Sequence, residues 1–132
     1  MKKITFLILV TGTICCCKKT AKMCCGPNDG LTNKWEIRKS VGGFAGMISY
    51  QPGNGNILEF KGNSFTQYDQ GNVFQSGTYN LQSTSEENQF KITFHTNVRE
   101  WSTNIILKSD TLVVLKFAAC CDIPDDTFVR IN

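Results

Sequence analysis

From Trp35 onward the chain alternates apolar and polar positions in short runs, each closed by glycine, asparagine, aspartate or proline. A period of two sends successive side chains to opposite faces of a strand. Strands are therefore expected over 35–38, 47–50, 57–60, 64–69, 73–81, 90–95, 103–108, 111–117 and 127–131. Lys61-Gly62-Asn63, Asp69-Gln70-Gly71-Asn72 and Ser109-Asp110 read as tight hairpin turns between them. Beyond the first sixteen residues no run of ten has helical period, and the polar loop 82–88 holds one helical turn at most.

Eight or nine short antiparallel strands in about 100 residues imply a sheet folded on itself, because closure removes the exposed edges of an open meander. Hairpin-length connections favour an up-and-down order over a Greek key, which needs long crossings. The expected fold is all-β: a small antiparallel up-and-down barrel of about eight strands over residues 31–132. Phe90, Ile92 and Phe94 share one face, opposite Lys91, Thr93 and His95; Tyr79 goes with Leu81, and Leu58 with Phe60. In 111–117 the face is ambiguous, since Leu112, Val113, Val114 and Leu115 run together. Barrels of this size either fill with side chains or hold one small ligand. Phe60, Tyr79, Phe90 and Phe94 are the expected lining of any pocket, and their bulk favours a filled or narrow interior.

The first sixteen residues follow a different pattern. Lys2 and Lys3 precede an apolar stretch over 4–14, which at 11 residues is too short to span a bilayer but suits the core of an export signal. A cysteine cluster follows where a secretory signal would have a small-x-small site. Cleavage before a lipid-modified cysteine wants a branched aliphatic residue three positions upstream and a small residue directly before. Cys17 has Ile14 and Cys16 there and fits better than Cys15 or Cys16. The expected organisation is a lipoprotein signal over 1–16, a lipidated Cys17 with a polar tether over 17–30, and the barrel over 31–132. A membrane, held through the lipid, is the first expected partner, and the cell envelope, with the outer membrane preferred, the expected location.

Charge and cysteine usage agree with export. The chain has 14 basic and 11 acidic residues, and losing Lys2 and Lys3 leaves 12 against 11. So balanced a charge offers no footprint for nucleic acid. Of seven cysteines, removing Cys15 and Cys16 and acylating Cys17 leaves Cys24, Cys25, Cys120 and Cys121. An even number in an oxidising compartment suggests disulfides. Three pairings are possible; bonding neighbours is strained, so the first pair is expected to meet the last, closing a loop of about 95 residues worth roughly 4–5 kcal/mol in the chain-entropy model. A four-cysteine zinc site is the rival, but its ligands are usually two to four residues apart rather than adjacent.

An early tryptophan in the first strand, a meander of roughly eight strands and an arginine in the last strand resemble the lipocalin-like domains of Bacteroidetes lipoproteins. Cys17-Lys18-Lys19 is similar to the mature start of such lipoproteins, and the acidic turn before Phe128-Val129-Arg130 to their ends. The resemblance implies that Trp35 packs at the barrel floor with Arg130 across it, a cation–π contact worth roughly 0.5–2 kcal/mol. Asn33 stands where the lipocalin motif has glycine. The implied activity is capture of a small apolar ligand without catalysis or cofactor; the alternative is a filled barrel serving as an envelope structural or interaction module.

Catalytic constellations are sparse. His95 is the only histidine and sits on a polar strand face, which excludes a two-histidine metal site. Glu86-Glu87 reads as a solvated loop, and Asp122, Asp125 and Asp126 lack the spacing of an EF-hand. The glycine-rich run 42–46 has no Lys-Ser/Thr of a P-loop. No enzymatic activity and no metal are expected.

Overall fold

The computed structural model describes residues 30–43, 45–117 and 123–132. The expectations on the signal, on Cys17 and on Cys24, Cys25, Cys120 and Cys121 fall outside them. Every element among the described residues is a strand: β1 (Asn33–Val41), β2 (Met47–Ser49), β3 (Ile57–Lys61), β4 (Ser64–Asp69), β5 (Asn72–Ser83), β6 (Gln89–His95), β7 (Glu100–Ser109), β8 (Leu112–Lys116) and β9 (Asp125–Ile131). All pairings are antiparallel, and β9 pairs back to β1. The result is a closed up-and-down barrel of eight strands with one extra strand, consistent with a lipocalin-like barrel.

The extra strand is β2. Asn33–Glu36 of β1 pairs with β3, while Lys39–Val41 pairs on the same edge with β2. Tyr50 N donates to Arg38 O at 2.9 Å, and Ile37 N to Asn56 O at 3.0 Å, on either side of the gap. β2 and β3 thus form one stave, broken by the proline- and glycine-rich loop after Tyr50.

Local sequence explains the tight joints. Gln70 and Gly71 between β4 and β5 both have positive φ, 49° and 83°. This two-residue geometry matches the twist of a hairpin, and glycine takes it without steric cost. Gly77, inside β5, is required for a different reason. A Cβ there would overlap the His95 carbonyl oxygen of β6.

The floor of the barrel lies at the β3–β4, β5–β6 and β7–β8 hairpins, where the chain also enters at Leu31. Trp35 is fully buried there and its indole Nε1 donates to Leu31 O at 2.8 Å. Leu31, Phe60, Tyr79, Ile92, Ile105 and Val113 complete the closed part of the core. The ambiguous strand is now decided: Val113 and Leu115 face inward, while Leu112 and Val114 are half-buried on the other face. Aromatic rings rise through the interior. Phe60 meets Tyr79 edge-on at 4.8 Å and stacks with Phe94 at 6.3 Å, and Phe94 stacks on Trp101 at 5.1 Å.

Candidate functional site

The interior is filled at the floor and open at the other end. A cavity of about 440 Å³ lies between the inner faces of β1, β3–β5 and β6–β9 at the mouth. Its walls are mostly apolar: Ile37, Leu58, Phe65, Phe94, Trp101, Leu115, Phe117 and Phe128. Besides Asn56, Tyr68 and Ser102, polar groups enter in two hydrogen-bonded clusters. Gln67 and Gln75, opposite one another in β4 and β5, are bonded side chain to side chain at 2.7 Å. Arg99, in the β6–β7 loop, lies 4.7 Å over the Trp101 ring and reaches Gln75 Oε1 at 3.5 Å.

The second polar place is Asp126. A bulge at Arg38 shifts the β1 register between Ile37 and Lys39, so Ser40 faces inward directly opposite Asp126. Ser40 Oγ donates to Asp126 Oδ1 at 2.6 Å. Burial raises the Asp126 carboxyl above its ordinary range; the Ser40 bond lowers it, and the neighbouring Asp125 charge adds to the rise. The carboxyl forms no ion pair with any described residue.

Of the four aromatics expected to line a pocket, Phe94 is in the cavity wall. Phe60 and Tyr79 lie in the packed floor instead, about 1% exposed, with the Tyr79 hydroxyl donating to Gly62 O at 2.8 Å. Phe90 is half-buried and packs against the core opposite Ile105. The reason is position along the strand axis: alternation selects a face, while height is set by the register of distant strands. Register sets Arg130 opposite Trp35. Arg130 is exposed, the indole is fully buried, and the ring that carries a guanidinium at 4.7 Å is Trp101 beneath Arg99. The sequence pattern singled out neither Trp101, Phe65, Gln75 nor Arg99, and offered Asp126 only as one of three aspartates weighed for calcium. The alternation of Trp101, Thr103 and Ile105 against Ser102 and Asn104 could have extended the 103–108 strand back to Trp101.

The remaining polar candidates sit elsewhere. His95 Nδ1 is 2.8 Å from Glu100 Oε2 and its Nε2 is 3.1 Å from Asn80 Nδ2, on the outer face of the barrel. Glu86 and Glu87 are exposed in the β5–β6 loop. Among the described residues no group of three histidine, cysteine, aspartate or glutamate side chains is placed to hold a metal ion. Comparison with family models, with curated proteins and with solved structures finds no match to this chain.

Proposed function

We propose that this chain is a membrane-anchored, lipocalin-like lipoprotein, without catalytic activity, whose barrel takes up a small apolar ligand at its mouth. The observation that carries the binding reading is the cavity. Its 440 Å³ and apolar walls fall within the usual range of small-molecule sites, roughly 300–1,000 Å³. Polar side chains that would orient a ligand, Gln67, Gln75, Arg99 and Asp126 among them, stand in the same wall.

The anchor reading rests on the 1–16 signal and Cys17. It is compatible with the fold's polarity. The chain enters at the floor, beside Leu31, and the cavity opens at the opposite end. A lipid on Cys17 would hold the barrel by a tether reaching at most about 45 Å from its floor, with the mouth free to meet ligand. Replacing Cys17 by serine in the native host should move the protein from the membrane fraction to the soluble one. Retention in the membrane after that change would remove the anchor from the reading.

Binding is tested with the uncharged fluorophore N-phenyl-1-naphthylamine. One molecule per chain is expected to bind and to quench Trp101, which lies in the wall. Phe117→Trp, which adds bulk to the same wall, should weaken binding about tenfold or more. No saturable binding, or binding indifferent to Phe117→Trp, would defeat the ligand reading. A second reading, docking of another envelope protein, is favoured by one specific observation. Val41, Met47, Ile48, Val73, Phe74, Val98 and Ile123 are the large apolar side chains exposed among the described residues, and all ring the mouth end. Under that reading, polar replacement of Phe74 and Val98 abolishes function and Phe117→Trp does not.

A further inference from the structure

Resting on the ligand reading above, we propose that the mouth cavity selects ligands in which an apolar body carries an ammonium group, set against the Asp126 carboxylate. Among the described residues Asp126 is the one acidic side chain in the cavity wall, carried inward by the register that the Arg38 bulge imposes. Ser40 satisfies Oδ1 at 2.6 Å, and no described cation pairs with the carboxyl. A partly buried carboxylate of this kind is poorly solvated and is strongly favoured by a cation brought to it. The upward displacement of its pKa by burial and by Asp125 has the same origin.

The surroundings suit a cation as well. Phe94, Trp101, Phe117 and Phe128 turn aromatic surface toward the same space. Ring faces attract ammonium groups, more so where water is excluded. Arg99 also borders the cavity and would favour an acid. Its guanidinium, however, is exposed to solvent, where its field is screened, and is engaged by the Trp101 ring and Gln75. Arg99 keeps its solvent, whereas the Asp126 carboxyl is partly buried and has no cationic partner among the described residues, so a cation is favoured at Asp126.

The test compares three ligands with one eight-carbon body, octylammonium, 1-octanol and octanoate, by calorimetric titration of the purified protein at pH 7. Octylammonium is expected to bind about tenfold more tightly than octanol, and octanoate more weakly than both. Asp126→Asn, close to isosteric, should bring octylammonium to the level that the same variant shows for octanol. Arg99→Gln should preserve the preference for the amine. Three outcomes overturn the proposal: octylammonium no tighter than octanol, octanoate tightest of the three, or an amine preference that survives Asp126→Asn. Binding of octanol without an amine advantage defeats this inference and leaves the ligand reading standing. Failure of all three ligands together with the naphthylamine defeats both.

Discussion

Replacing Glu36 by alanine is expected to lower unfolding stability by about 2–4 kcal/mol, since it breaks a partly buried ion pair and takes a charged acceptor from two loop N–H groups. Glu36 points to the outer face of β1 and is nevertheless 3% exposed. The loop between β2 and β3 folds over it. Gly53 N and Gly55 N donate to its two carboxylate oxygens at 3.1 and 3.2 Å, and the Arg38 guanidinium pairs with it from two residues along the strand. Asn54 pins the same loop, donating to Ile37 O at 3.0 Å and to Gln51 O at 2.7 Å. Alanine would leave Arg38 without its carboxylate and two loop N–H groups without acceptors. Urea unfolding followed by tryptophan fluorescence measures the loss as a shift in midpoint, and a variant within about 1 kcal/mol of the parent would show the loop to be held by other means.

The same site carries a pH signature. Burial by itself would raise the Glu36 carboxyl, but the Arg38 bond, the two backbone N–H groups and the Arg38 charge outweigh it, and the net displacement is below the ordinary value of 4.5. A carboxyl lowered in the folded state binds fewer protons there than when unfolded. Its stabilisation is complete above pH 4.5 and disappears as pH falls through the lowered value. Asp126, displaced upward, acts in the opposite sense, so the wild-type curve alone mixes the two. The difference between wild type and Glu36→Gln isolates Glu36: it should be large at neutral pH and shrink on acidification below the glutamate range. A pH-independent difference would contradict this origin.

The second large effect is at the floor. Trp35→Ala is expected to cost about 3–5 kcal/mol, the range for deleting a buried aromatic side chain. The indole is 0% exposed, packs in the same cluster as Leu31, Leu58 and Phe60, and donates to Leu31 O. Truncation opens a cavity and leaves that carbonyl without its donor. Trp35→Phe keeps much of the packing and loses the hydrogen bond, for about 1–3 kcal/mol. Equal losses for both variants would mean that the Leu31 bond, not the packing, holds the floor. Against a total stability of roughly 5–15 kcal/mol for domains of this kind, either alanine variant brings the barrel near its limit.

The strands were well marked in the sequence because one face of each is buried and the other wet. The run 90–95 alternates without a break, and Ile92 and Phe94 are buried as that pattern requires. Met47–Ser49 was a weak signal, and the strand there is short and exposed at every residue. Ends were less legible: β7 begins at Glu100 rather than 103, and β9 at Asp125 rather than 127. Both missed ends lie at the mouth. Polar residues such as Asp126 and Gln75 face inward there, so the local alternation no longer separates inside from outside.

The chain's own pattern was enough to specify an all-β, up-and-down closed barrel and the identity of most core side chains, since a period of two is local and each hairpin joins neighbours in sequence. The expected export signal over 1–16 and the proposed lipid site at Cys17 are likewise readings of contiguous residues. Which inward side chains meet at one height is a different matter. It depends on the closing pair β1–β9, on three bulges and on the stagger of the barrel, all of which join residues far apart in the chain. Ser40 and Asp126 are 86 residues apart and become partners because one extra residue at Arg38 reverses the parity of β1. The tertiary structure alone decided that Phe60 and Tyr79 close the floor, that Phe94 and Trp101 wall a cavity, and that the Asp126 carboxyl faces into it.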